Sequence, residues 1–408
     1  MPPLEHLIFN FLPVDPAVSG GVATVCQALA RYIPGVAAAR KTWVLTGCDD
    51  WDTLFPLKGD FERLVYPKGA QRTVGFDLER RMAAANWSTT LRHGMARLLR
   101  QRSAFAADLA RNSVVHCPYQ ILRPPPPRQW ALPYVINLHD LQHEHFPEFF
   151  SAEKLRYRRM RYLASARAAA AVCVVDEWTK RDVLAHLDIP EAKVFVAPFG
   201  PTWPEVPRYE QADLQNLGKR YSLPQYFAYY PSQTWPHKNH LRLMEALHLL
   251  KGEGLVVPLV CTGHQNDHYQ TIVAKAAELA LQGQLHFLGM IPQPDVLGLY
   301  RGSRMTVIPS LFEGGPGIPV LEAMALGSPL AASTACGIPE AVGDAALLFD
   351  GLDVADMARA LKRLRSDANL RQHLAARALA RSAPRTWERA ARRYADVYAE
   401  VRRRWMRG

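Results

Sequence analysis

The stretch RMTVIPSLFEGGPGIPVLEAMALGSPLAAS, residues 304–333, decides the architecture. RMTVIPS reads as a buried strand ending at Ser310. A loop carrying Gly314, Gly315 and Gly317 follows. A short helix is expected over 319–327, with Pro319 near its start and Gly327 at its end. PLAAS (329–333) reads as the next strand. Strand, glycine loop, helix and strand in that order make one repeat of a parallel α/β layer. Glycines let backbone amides approach a ligand, and a helix N-terminus offers free N–H groups at the positive end of its dipole. The passage is therefore either an anion site suited to a diphosphate or a plain strand–turn–helix connection with a surface Glu313. Glu313 and Glu322 bracket the loop, where carboxylates would serve to bind sugar or ribose hydroxyls.

The same alternation extends outward in both directions. HLIFNFLP (6–13), TWVLTG (42–47), SVVHC (113–117), YVINLHD (134–140) and AAVCVVD (170–176) read as strands of a first sheet. SGGVATVCQALARYI (19–33) reads as a glycine loop feeding a helix, with Ser19 as its cap. YFAYYPS (226–232), VVPLVCTG (256–263) and 284–288 read as strands of a second sheet, with helices at 240–254, 266–282 and 293–302. The tail reads as helices over 353–366, 367–382 and 386–405. Between the halves, APFGPTWPEVPRY (197–209) places four prolines where no regular element can continue, so it reads as a linker. The expected fold is α/β: two doubly wound Rossmann-like domains facing a cleft. Residues 1–200 form the first domain, 201–383 the second, and 384–408 a helix returning to the first. Ligands of such sheets bind outside the carboxyl ends of the strands. Lys238, just before a helix, would face that cleft and neutralise phosphate, or else be a solvated lysine.

Composition narrows the class. With 408 residues and 49% hydrophobic content, the chain can bury two or three cores and is not a disordered segment. No apolar run approaches the ~18 residues that span a bilayer, and no secretory leader is expected at the N-terminus. Six scattered cysteines without a C-x-x-C pair favour reduced thiols. The net charge of +11 resides in basic helical segments, read as solvated faces. No nucleic-acid motif accompanies them, so no nucleic-acid partner is expected.

The chain resembles, over essentially its whole length and most specifically in its C-terminal half, the retaining glycosyltransferases of GT-B fold, family 4. That family's pattern E-G-F-G-L-P-x-L-E-A-M-A-x-G-x-P-V meets EGGPGIPVLEAMALGSPL here, and PHKN (236–239) resembles a variant found among bacterial polysaccharide mannosyltransferases. Phe287, Leu288, Gly289, Ile291, Leu297 and Tyr300 match F-L-G-x-(I/V)…L-x-x-L-Y. GIPEAVGDAALLFD (337–350) and TWERAARRYADVY (386–398) match the stretches that close the pattern. The resemblance implies that Glu313 holds the donor sugar's hydroxyls and Glu322 the ribose. It places the amides of Gly317 and Ile318 on the sugar or phosphate and Lys238 on the diphosphate. It sets Gly20 and Gly21 in a loop against the phosphates, and His139 beside the transferred sugar. Two departures stand out. Eight residues, not seven, separate Glu313 from Glu322, and Gln233 stands where an arginine is frequent.

Two further clusters carry alternatives. HDLQHEHFPE (139–148) lacks the H-E-x-x-H order of zinc helices and reads as a substrate-facing loop rather than a metal site. DWD (50–52) reads as an acceptor-side loop or plain surface. The function implied is transfer of a hexose, mannose by resemblance, from a nucleotide sugar to a hydroxyl of a lipid-linked saccharide in surface-polysaccharide synthesis. GDP-mannose is the expected donor, with UDP- and dTDP-sugars as alternatives, and neither metal nor resident cofactor is expected. The protein would be cytoplasmic and peripheral on the inner membrane, with basic helices around 80–102 and 153–167 touching an anionic leaflet or simply solvated. The alternatives are a non-catalytic scaffold of the same fold and a GT-B nucleotide-sugar epimerase.

Overall fold

In a computed structural model, residues 4–11, 14, 20–46, 60–65, 113–122, 132–201 and 208–407 are described. The DWD segment, the 80–102 segment, Ser19 and residues 202–207 of the Pro-rich passage lie outside them. The first half carries strands β1 (Leu4–Asn10), β2 (Ala39–Thr46), β3 (Glu62–Val65), β4 (Ser113–Cys117), β5 (Tyr134–Asn137), β6 (Ala171–Val174) and β7 (Val194–Val196). Its helices are α1 (Gly20–Tyr32), α2 (Pro34–Ala37), α3 (Gln142–His145), α4 (Ala152–Ala168) and α5 (Glu177–His186).

The second half carries β8 (Ala228–Pro231), β9 (Leu259–Thr262), β10 (Leu285–Phe287), β11 (Met305–Ile308), β12 (Leu330–Ser333) and β13 (Leu347–Phe349). Its helices are α6 (Gln211–Arg220), α7 (His240–Gly252), α8 (Tyr269–Glu278), α9 (Gln293–Gly302), α10 (Ile318–Ala325), α11 (Ile338–Val342), α12 (Val354–Ser366), α13 (Ala368–Ser382) and α14 (Trp387–Trp405).

The strands make two sheets, ordered β3-β2-β1-β4-β5-β6-β7 and β10-β9-β8-β11-β12-β13, with parallel pairing. Both are doubly wound α/β sheets. Every residue of β4, β5, β6, β9, β11 and β12 is buried, because helices cover both faces of each sheet. The chain reverses direction across the sheet between β1 and β4, and again between β8 and β11. These are the two switch points where ligands find a crevice.

The structure revises several sequence-based expectations. Strands β3, β7 and β13 were not anticipated. They are three or four residues long and lie at sheet edges, too short to show a hydrophobic period. The helix expected over 266–282 ends at Glu278, because Ala280 turns left-handed at φ 51° and a short 3₁₀ turn at Gln282–Gln284 follows. Gly20 and Gly21 open α1 rather than forming a loop before it.

Helix α14 packs on the first sheet, where Trp387, Tyr394, Val397 and Tyr398 join the core built by β1, β4 and α1. A buried polar chain fixes its register. His116 Nε2 donates to Asn137 Oδ1 (2.7 Å), and Asn137 Nδ2 donates to the Tyr394 hydroxyl (2.7 Å). The Tyr398 hydroxyl donates to His116 Nδ1 (2.6 Å), which completes both ring nitrogens. The basic residues of this helix are not all solvated. Arg402 is buried, Arg393 donates to the Val196 carbonyl, and Arg404 donates to the Ala192 carbonyl.

Candidate functional site

The crevice is built from what leaves the carboxyl ends of β8 and β11. After β8 the chain passes Gln233 and makes a 3₁₀ turn, Pro236–Lys238. Four hydrogen bonds clamp this turn and the residue after it. The Tyr230 hydroxyl donates to the Lys238 carbonyl (2.6 Å), and the Leu311 amide donates to the His237 carbonyl (2.8 Å). Asn239 sits left-handed at φ 62° and donates through Nδ2 to the carbonyls of Pro309 (2.9 Å) and Gly351 (2.7 Å). The PHKN sequence thus positions Lys238 through its asparagine, a role the sequence did not reveal. Burial holds the His237 imidazole far below its ordinary pKa, with the Lys238 charge adding to the effect, so it stays neutral.

Lys238 Nζ meets Glu313 Oε1 at 2.6 Å, and both side chains are largely buried. The extra residue between Glu313 and Glu322 therefore does not turn Glu313 away. Its carboxylate folds back over Gly317, where a Cβ would lie 2.8 Å from Glu313 Oε2 at φ 78°. Gln233 lies beside this turn, its Oε1 accepting from the exposed Trp235 indole at 2.6 Å.

The N-terminus of α10, at Ile318, opens onto the crevice with Pro319 in its first turn, so no amide is wasted there. It meets the N-terminus of α1 across the domain boundary. A Cβ on Gly21 would lie 2.6 Å from Ile318 Cδ1. Gly20, one residue earlier, is the first residue of α1. Two helix dipoles thus point their positive ends into one place from opposite lobes. Glu322, one turn into α10, accepts from the Tyr300 hydroxyl at 2.8 Å. Burial, then the Glu322 charge, pushes the Tyr300 phenol up, so it remains a donor. Thr24, Phe199 and Trp387 line a small interdomain cavity with Glu322.

The other glycines of the loop serve the approach of the two lobes. A Cβ on Gly314 would sit 3.0 Å from the His139 carbonyl, and one on Gly315 2.2 Å from Val175 Cγ1. One on Gly337 would sit 1.9 Å from Asp176 Oδ2. The glycine loop rests on the carboxyl ends of β5 and β6, which brings His139 under it. His139 Nε2 donates to the Pro118 carbonyl (3.1 Å), and burial lowers the ring's pKa, leaving it neutral.

Of the 139–148 cluster, Asp140 takes the Gln142 amide (3.1 Å), and Glu144 takes the Arg159 guanidinium on two nitrogens (2.8 and 3.0 Å). His143 is buried against Tyr162, its pKa pushed down to about 4 by burial. None of these gathers with others of the cluster as a ligand set. His145 alone turns toward α5, where it meets Asp182 and His186.

Residues 220–381, which hold Lys238, Glu313 and Glu322, match the family model described as glycosyl transferases group 1. The second half of the chain is thus similar to the group 1 glycosyl transferases. The chain superposes on an Anabaena protein, Alr3699/HepE, solved in complex with UDP and glucose, with TM-score 0.71 at 17% identity, covering 97% of this chain and 100% of that one. The fold is therefore GT-B. The chain resembles bacterial mannosyltransferases: it is 27% identical over 265 residues to O-antigen chain mannosyltransferase B of Escherichia coli, 65% of this chain and 69% of that protein. It is 30% identical over 233 residues to the serotype-specific mannosyltransferase WbdA of Escherichia coli, 56% of this chain and 28% of that longer protein. Among the described residues, no helix is long and apolar enough to cross a membrane.

Proposed function

We propose that the protein is a retaining hexosyltransferase that moves mannose from a nucleotide-diphosphate sugar to a hydroxyl of a lipid-linked saccharide in surface-polysaccharide assembly. One observation carries the reading. An ammonium group and two helix N-termini, from both lobes, converge on one crevice at the switch point of the second sheet. That is the charge arrangement a diphosphate needs. The mannosyl specificity, and GDP-mannose as donor, rest on the likeness to the two Escherichia coli mannosyltransferases.

In the proposed step the bond from the anomeric carbon to the diphosphate oxygen breaks. The acceptor oxygen bonds to that carbon on the same face, and its proton passes to the departing diphosphate. Lys238 exchanges Glu313 for the diphosphate, and the released Glu313 accepts the donor sugar's hydroxyls. Glu322, already an acceptor, takes the ribose, and neutral His139 faces the transferred sugar. Gly20, Gly21, Gly317 and Ile318 contribute amides, and Gln233 stands at the rim. Leaving-group charge is met by the ammonium and peptide dipoles, so this reading assigns no metal or resident cofactor to the step. Approach of the lobes excludes water and limits hydrolysis. Contact of α4 with an anionic membrane belongs to the same proposal. Three of its cations are already engaged, Arg159 by Glu144, Arg158 by the Phe150 ring at 4.5 Å and Arg167 by Asp188 at 2.5 Å.

The test is thermal stabilisation by GDP, UDP and dTDP side by side, followed by transfer from the stabilising donor with the product's anomeric configuration read by NMR. Selective stabilisation by GDP and a retained configuration are expected. No response to any nucleotide would sink the reading in favour of a scaffold, and release of free sugar without an acceptor would point to an epimerase.

A further inference from the structure

A second cluster lies outside the donor crevice. His145 comes from α3, and Asp182 and His186 stand one turn apart on α5. Each offers one ligand atom, and the three atoms lie within 4.8 Å of one another. His145 Nε2 is 2.7 Å from Asp182 Oδ1, and His186 Nδ1 is 3.1 Å from the same oxygen. Ligands held about 2.1 Å from one ion are separated by about 3.0–3.4 Å in octahedral or tetrahedral geometry, so the first two spans are already close to what an ion requires. His186 Nδ1 also lies 2.9 Å from the Asp182 carbonyl.

The carboxylate supplies the independent observation. The Asp182 side chain is 5% exposed, and its Oδ2 is buried without a hydrogen-bond partner. A buried, incompletely partnered carboxylate is costly, and a cation held at its other oxygen, Oδ1, between the two imidazoles would neutralise its charge. The imidazoles are about one-third exposed, so an ion has a path in and water can fill its remaining positions. Two imidazoles and one carboxylate suit a borderline divalent transition ion better than calcium or magnesium.

We infer that His145, Asp182 and His186 form a binding site for a divalent transition-metal ion of the Zn2+ class. The site is structural. It ties α3 to α5 beside Phe312, which His145 (5.2 Å), Trp178 (6.0 Å) and Phe146 (6.2 Å) grip from the first domain. Phe312 immediately precedes Glu313, so the ion would stiffen the first-domain side of that clasp. This inference stands independently of the transferase reading.

The full chain, without an affinity tag and stripped by chelator, is dialysed against Zn2+ at pH 7.5 and its metal content measured. About one bound ion per chain and a raised Tm are expected. With Co2+ as probe, visible ligand-field bands without a thiolate charge-transfer band are expected, since no cysteine is in the set. His186→Gln, at a partly exposed position, should weaken binding by at least about tenfold while the apo-protein's Tm stays near wild type; Asp182→Asn should do the same to binding. Failure to bind Zn2+ stoichiometrically, unchanged affinity in His186→Gln, or a thiolate band would overturn the assignment. The first of these outcomes would leave a hydrogen-bonded His–Asp–His cluster without an ion.

Discussion

Lys238 and Glu313 stand 75 residues apart and meet at 2.6 Å, because β8 and β11 are neighbours across the switch point of the second sheet. Each residue leaves the carboxyl end of its strand, and the parallel pairing brings the two loops side by side. In the proposed reading this ion pair is the resting form of the donor site, with each partner holding the other until a diphosphate and a sugar take their places.

Lys238→Ala should lower kcat by about 10²–10³, the usual consequence of removing one preorganised donor to a leaving group. Circular dichroism should show a folded protein. A variant keeping more than half the activity would count against the assignment.

The same substitution leaves the Glu313 carboxylate largely buried without its cation. Breaking such a pair costs more than replacing both members. The Tm should therefore fall in Lys238→Ala and be partly restored in Lys238→Ala/Glu313→Gln, while activity stays low in the double variant. Parallel recovery of activity and Tm would show that the pair is structural only.

Asn239 does two things that different substitutions separate. Asn239→Gly keeps the left-handed backbone but loses the amide bonds to Pro309 and Gly351, and Asn239→Ala loses both. Each should destabilise by about 1–3 kcal/mol, with Ala the worse by about 1 kcal/mol, by urea denaturation. Both should lower kcat by displacing Lys238.

Gly315→Ala places a methyl group against Val175 at a backbone φ of 68° that alanine resists. The lobes should be held apart, so kcat/KM should fall at least about tenfold, and small-angle scattering should show a larger radius of gyration. An unchanged radius with unchanged kinetics would refute closure through this contact.

Acid should weaken the fold. Burial pushes the pKa of His116 and of His143 down to about 4, from 6.5. Between those values the unfolded chain binds protons that the folded chain refuses. Their contribution is thus fully present above about pH 6.5 and is lost as pH falls toward about 4, by up to about 1.4 kcal/mol per pH unit for each histidine. The urea midpoint should drop steadily from pH 7 to pH 4.5; a flat profile over that range would contradict it. Tyr398→Phe strips the donor from His116 Nδ1 and should cost about 1–3 kcal/mol.

Local chemistry was enough to determine the alternation of strands and helices, the glycine loop ahead of α10 and the place of Lys238 just before a helix. Apolar runs, prolines and glycines act on their immediate neighbours, so a linear reading sees them. The short edge strands escaped it because three or four residues carry no period. Tertiary structure alone decided the partners: Lys238 with Glu313, Asn239 with Pro309 and Gly351, and His145 with an aspartate and a histidine on another helix. It also divided the glycines, giving Gly317 to the Glu313 carboxylate and Gly314 and Gly315 to the contact between the lobes. Each of these depends on which strands lie side by side and how close two domains come. Strand order and domain spacing follow from packing the whole chain, and no segment of it holds them alone.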